Sequence, residues 1–194
     1  MKQKLTIIGS ALCLMFIINT QSMAQMKFGV IGGFNFNDLT GSDVNSDGMS
    51  VGYHLGAFVN FGEQLMIEPQ LLYSVKGTKG GDDNLNLSYV EIPIWIRYQL
   101  ENGFNINAGP YAGILVGAKY DGNDQKDNYK ATDFGLGFGI GYQMSSGLGF
   151  AANYSMGLSS IGEDYEIFGQ KYDIEARTTC IKLSASYTFG GRRE

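Results

Sequence analysis

His54 is the one imidazole in a chain of 194 residues. General-base chemistry would require a hydroxyl, thiol or water beside it and an acid to orient it. No serine, histidine and aspartate share a legible spacing, and no cluster of His and Cys suggests a metal site, so His54 reads as a hydrogen-bonded structural residue. Asp43-Val44-Asn45-Ser46-Asp47-Gly48 carries oxygen-bearing side chains at alternate positions and Gly at the turn, the first half of a calcium-loop pattern. The glutamate that should complete it falls on position 54, which is His54, so solvated carboxylates with loose cation binding are the expectation. Gly135, Gly137, Gly139 and Gly141 could suggest a phosphate loop, but they alternate with Phe134, Leu136, Phe138, Ile140 and Tyr142, and no helix follows. No cofactor and no metal is therefore expected, and no enzyme.

The elements that must position these residues follow a two-residue period. Leu148, Phe150, Ala152, Tyr154, Met156 and Leu158 share one face of an extended segment, and Gly149, Ala151, Asn153, Ser155 and Gly157 share the other. The same test predicts strands over 26–36, 51–60, 65–76, 88–99, 104–118, 134–142 and 176–189, eight in all. Their outward sets include Phe28, Val30, Phe34 and Phe36, then Val51, Tyr53, Leu55 and Val59, then Ile67, Leu71, Tyr73 and Val75, and finally Ile181, Leu183, Tyr187 and Phe189. An apolar outside with a polar or tiny inside is the pattern of a membrane barrel; a soluble lipocalin-type barrel has the opposite polarity. The fold class is thus all-β, an eight-stranded antiparallel up-and-down transmembrane β-barrel. Four inward glycines on one strand leave room for bulky side chains arriving from elsewhere in a narrow interior.

Connections alternate between short (61–64, 101–103, 145–147) and long (37–50, 77–87, 119–133, 159–175), as periplasmic turns and extracellular loops do. Of 19 acidic residues, 14 fall in the long connections, leaving Glu63, Glu68, Glu91, Glu101 and Glu194 elsewhere, so the outer rim is expected to be anionic. Tyr120, Tyr129, Tyr165, Phe168 and Tyr172 lie among those acids, a composition that suits an extracellular or envelope protein or glycan partner and equally suits an aromatic girdle. The oligomeric state is not legible.

Met1-Lys2-Gln3-Lys4 precedes an apolar run from Leu5 to Ile18, and Ser22 and Ala24 supply small residues, so 1–24 reads as a cleaved signal peptide. The barrel is then 25–189, with Phe189 as terminal aromatic and 190–194 as a short periplasmic tail; an even strand number puts both termini in the periplasm. Without Lys2 and Lys4 the chain has 12 basic and 19 acidic residues, which excludes a nucleic-acid partner. Only Cys180 remains, so no internal disulfide can form.

Tyr89-Val90-Glu91-Ile92-Pro93-Ile94-Trp95-Ile96-Arg97-Tyr98, a short turn, and Asn107-Ala108-Gly109-Pro110-Tyr111 resemble the PorT-like outer-membrane β-barrel family of Bacteroidota. Lys27-Phe28-Gly29-Val30 with Gly33-Phe34-Asn35 is similar to that family's first strand. The resemblance spans the chain after residue 24 and implies an outer-membrane barrel held in outer-membrane lipid. The family's name, from a member linked to secretion, extends to a secretion accessory role. It supplies no catalytic or ligand residues.

Parity places His54, Glu68, Lys76, Glu91, Arg97 and Lys182 inward. Glu68, Lys76, Glu91 and Arg97 lie on neighbouring strands, where they are expected to pair as a polar plug, because an unpaired interior charge costs several kcal/mol. An interior filled by its own side chains disfavours large-solute flow. The expected function is interaction, adhesion or envelope structure, with a small channel or transport component as the alternative. Parity also makes a prediction for the wall: arginine at Ile94 or Phe138 should lower folding stability in lipid by about 2–4 kcal/mol, read by urea titration in vesicles. Arginine at Gly149 should act by steric conflict instead, and equal tolerance at these sites would refute the parity.

Overall fold

Strict alternation closes into a cylinder because each strand must find two partners when no water is available to bond its edges. The computed structural model describes residues 26–40, 49–80, 83–120, 123–124, 126, 130–159, 165–167, 170–172 and 177–190. Residues 1–24, the 43–48 motif, Tyr129, Phe168 and 191–194 lie outside the described residues. The barrel strands are β1 (Lys27–Thr40), β2 (Ser50–Gly62), β3 (Leu65–Gly80), β4 (Asp83–Gln99), β5 (Phe104–Tyr120), β6 (Thr132–Gln143), β7 (Leu148–Gly157) and β8 (Arg177–Phe189). Consecutive strands pair antiparallel, and β1 pairs with β8 from Phe28↔Phe189 to Thr40↔Arg177, which closes the ring. All eight expected strands are present.

The outward sets sit where parity put them, with Phe34, Leu55, Ile94, Phe138 and Leu183 among the exposed large apolar residues of a belt around the ring. Among the described residues no helix is long and apolar enough to cross a membrane; the belt belongs to strands. Aromatic pairs stand near both of its edges, Phe104–Tyr142 and Tyr187–Phe189 on the turn side and Tyr53–Tyr73 on the loop side, as membrane interfaces favour. The three short turns carry Gly62, Gly103 and Gly147 at φ of +110°, +94° and +93°, a left-handed conformation that glycine adopts without strain.

The 77–87 connection differs from expectation. It is a hairpin extension: Lys76↔Leu87 through Gly80↔Asp83 continue the β3–β4 ladder without a break. Alternation fades there because the wall has risen above the belt. The outward positions of β4 turn from Val90 to the polar Ser88 and Asn86, and the exposed Lys119 does the same on β5. A bulge between Ser88↔Gly117 and Tyr89↔Leu115 inserts Val116 and shifts the parity of β5, so that Ala118 is buried beside Leu87. The third long connection also shortens, because β6 begins at Thr132 and takes Asp133 into the wall.

All three prolines of the chain stand in adjacent strands. Pairing lapses at Val59/Pro69 between β2 and β3, at Gln70/Pro93 between β3 and β4, and at Ile94/Pro110 between β4 and β5. Proline has no N–H to give to a ladder. Because Pro69 is opposite Ile94, and Ile94 is in register with Pro110, the lapses fall on one line across four strands, midway down the apolar belt of β4. In hydrogen exchange on the protein in bilayers, amides flanking this seam should exchange before those of β7 and β8 at the same depth. Uniform protection around the ring would contradict the seam.

Candidate functional site

The interior is built in tiers, each set by inward positions of neighbouring strands. Nearest the turns, Arg97 Nη2 donates to Glu68 Oε1 at 2.8 Å, and Gln70 Nε2 donates to the same oxygen at 2.7 Å. Above this, Ile31, Phe58 and Leu72 form a buried apolar cluster. The glycines of β6 receive rings here: a Cβ at Gly137 would lie 2.6 Å from the Trp95 ring, and one at Gly135 would overlap the Tyr111 ring. Those glycines therefore hold space for aromatic side chains of β4 and β5. A Cβ at Gly149 would be 2.7 Å from Gln143 Oε1 and from Ser186 Oγ, the crowding that parity required.

The next tier contains His54. Asn35 Nδ2 donates to Ser74 Oγ at 3.0 Å and to Val75 O at 3.0 Å, which leaves Asn35 Oδ1 to accept from His54 Nδ1–H at 2.7 Å. That tautomer makes His54 Nε2 the acceptor for Ser184 Oγ–H at 2.9 Å. Hydroxyl, imidazole and amide are thus ordered as in a nucleophile, base and orienting group, a constellation that sequence spacing concealed because Ser184 and Asn35 lie on strands at opposite ends of the chain. Its surroundings decide what it can do. The free volume lined by His54, Ser184, Trp95 and Lys182 is about 20 Å³, room for about one water, so an acyl carbonyl cannot reach Ser184.

Toward the loops, Glu91 binds both Lys76 and Lys182. Lys76 Nζ also lies 3.2 Å from Asp133 Oδ2, and it stands 5.2 Å and 4.9 Å from the centres of the Tyr89 and Tyr111 rings, within cation–π range. Asp133 further accepts from Tyr111 Oη (3.3 Å), Thr178 Oγ1 (3.2 Å) and Ser159 Oγ (3.3 Å). Leu87, Leu115 and Ala118 are buried beyond this tier.

His54, Glu68, Lys76, Glu91, Arg97 and Lys182 all lie in the interior, in two ion-pair groups and one hydrogen-bonded chain rather than a single cluster. Sequence reasoning missed Asp133, which was assigned to a loop. Extending the parity of Gly135 by two positions would have brought it inward. With Asp133 included, the buried charges among the described residues are three basic and three acidic, besides His54, and the interior is electroneutral. Of the loop aromatics, Tyr120 ends β5, while Tyr165 and Tyr172 are register partners in a separate two-stranded ladder.

A family model described as outer membrane protein beta-barrel domain matches residues 19–163. No curated protein matches the sequence. Among solved structures, the chain is similar to Neisserial surface protein A, with 15% identity and a TM-score of 0.57 over 84% of this chain and 97% of that one. It is also similar to Ail, the attachment invasion locus protein of Yersinia pestis, in complex with the heparin analogue sucrose octasulfate, with 12% identity and a TM-score of 0.52 over 85% of this chain and 99% of that one. At these identities the likeness is one of fold.

Glu91 is the group on which the loop-side tier depends. Glu91→Ala leaves two buried lysines short of a partner, and removal of one member of a buried ion pair typically costs about 3–5 kcal/mol. The expected result in denaturant titration is a loss of that size. A loss under about 1 kcal/mol would mean that the tier carries no such load.

Proposed function

We propose, from the premise that the chain belongs to the outer membrane protein β-barrel domain family and resides in the bacterial outer membrane, that it is a non-enzymatic barrel serving interaction, adhesion or envelope structure. The observation that supports this most directly is the interior: an electroneutral plug of cross-linked ion pairs, closed above by buried apolar residues. A filled cylinder exchanges little with its surroundings, so the surfaces left for function are its ends. In this reading the turn end, with both termini, faces the periplasm, and the loop end faces outward.

That outer end is anionic, and β3, β4 and β5 carry it beyond the apolar belt. Tyr165 and Tyr172, register partners in a short two-stranded ladder, fall in the last long connection, and tyrosine is among the residue types that dominate contact energy at interfaces. Ail's complex with a polyanion marks the contrast, because acidic loops here repel such a ligand; the fitting partner is a protein or glycan with basic groups, or one bridged by cations. Similarity to the PorT-like family supports a secretion accessory as one form of this interaction role. The alternative of a small channel rests on the succession of ionic groups from Arg97 to Asp133, which would need the plug to loosen.

Planar-bilayer recordings and adhesion assays separate the two readings. The intact barrel is expected to show no discrete conductance, while replacing 160–176 with a short Gly-Ser turn should lower adhesion of expressing cells to matrix proteins or glycans at least about tenfold with folding retained. Discrete conductance with adhesion unchanged would favour the channel. Labelling of Ser184 by a fluorophosphonate, abolished by His54→Ala, would restore the enzyme.

A further inference from the structure

Backbone pairing in the wall stops short on one side of β3. The β2–β3 ladder rises no higher than His54↔Ser74, although β2 begins at Ser50 and β3 continues to Gly80. Over that height Ser50–Tyr53 keep their partners on β1, from Asn37↔Ser50 to Phe34↔Tyr53. Val75–Gly80 keep theirs on β4, from Val75↔Ser88 to Gly80↔Asp83. Between these two segments no backbone pairing is present among the described residues. A side chain closes the first step beyond the ladder, because Asn35 Nδ2 donates to Tyr53 O at 3.1 Å and to Val75 O at 3.0 Å. A Cβ at Gly52 would overlap Val75 O, so that carbonyl faces β2. Backbone groups of an antiparallel strand alternate between its two neighbours. Gly77 and Lys79 therefore turn theirs the same way as Val75, while Thr78 and Gly80 bond to β4.

The break lies at the Tyr53–Tyr73 ring pair, on the loop-side edge of the apolar belt. Below it an unpaired edge would face lipid, which has no group to bond it. Above it the wall stands in water, where such an edge is a template for another strand. We propose that the edge of β3 at Gly77 and Lys79 is a β-addition site, which takes an extended segment of a protein partner as an added strand. The inference rests on the interaction role and narrows the partner to a protein, because a peptide backbone repeats N–H and C=O at the spacing of a strand and a glycan does not. A second copy in the same membrane runs the same way across the bilayer and could bring up its β3 only in parallel, the weaker pairing.

The test uses the isotope-labelled full chain in bilayer nanodiscs, titrated to millimolar concentration with acetyl-Lys-Thr-Val-Thr-Val-Lys-amide, a strand former whose basic ends suit the anionic outer end. Saturable shifts and slowed hydrogen exchange are expected at the amides of Gly77 and Lys79, with those of Thr78 and Gly80 little changed. The same peptide N-methylated on two adjacent residues, which blocks both of its edges, should bind at least about tenfold more weakly. Gly77→Pro removes an N–H that faces β2 and no bond to β4. It should weaken binding to the same extent while heat-modifiable mobility in electrophoresis, the sign of a closed barrel, is retained. The inference is overturned if Gly77 and Lys79 do not respond, if the methylated peptide binds equally, or if self-association already protects these amides before peptide is added. Adhesion that depends on 160–176 without any response at Gly77 and Lys79 would leave the interaction role standing and remove this site alone. The wild-type titrations decide this even if the variant does not fold.

Discussion

A peptide group placed in hydrocarbon finds no water to bond, and that constraint shapes every level of this molecule. It forces the strands into a ring, because an open sheet would leave two unpaired edges in lipid. It then forces a second condition on the inside. Eight strands enclose only enough space for their own side chains, so any charge carried inward must meet its complement there. The arrangement of Glu68 with Arg97, and of Glu91 and Asp133 with Lys76 and Lys182, is the solution to that condition. The charges add little favourable energy over an apolar filling; what they impose is specificity, since a one-residue register slip would turn them toward lipid.

Legibility in the sequence followed the same division. The wall could be read directly, because lipid on one side and a crowded interior on the other impress a period of two on segments such as 148–158. Inward parity was legible for the same reason. The partners within the interior were not: Lys182 meets Glu91 across 91 residues of chain, and the Ser184–His54–Asn35 chain joins three strands. Such contacts depend on the tilt and closure of the ring, which no local pattern carries. The misplacement of Asp133 and of 77–87 has a different cause. Both lie where the wall leaves the apolar belt, and there the lipid no longer enforces alternation although the hydrogen-bond ladder continues.

The Ser184–His54–Asn35 chain shows why geometry and chemistry must be weighed with access. Three side chains in the order of a hydrolase triad arise here because each hydrogen-bonds the next in a sealed space. Asn35 has its amide committed to Ser74 and Val75, and His54 and Ser184 complete the accounting. In a solvated cleft the same distances would argue for catalysis. In an interior with room for one water they argue for a strut between β1, β2 and β8.

The proline seam and the tall strands form one design problem. Three lapses in pairing on adjacent interfaces weaken the wall where lipid is least forgiving, and they fall on β3, β4 and β5, which are 16, 17 and 17 residues long against 12 and 10 for β6 and β7. The extra ladder above the belt, including the unbroken run from Lys76↔Leu87 to Gly80↔Asp83, offsets pairs lost below. Trp95 and Tyr111 reinforce the same strands from within, their rings seated over Gly137 and Gly135. The segment of wall that rises furthest above the belt is thus also the one whose ladder is interrupted at mid-height.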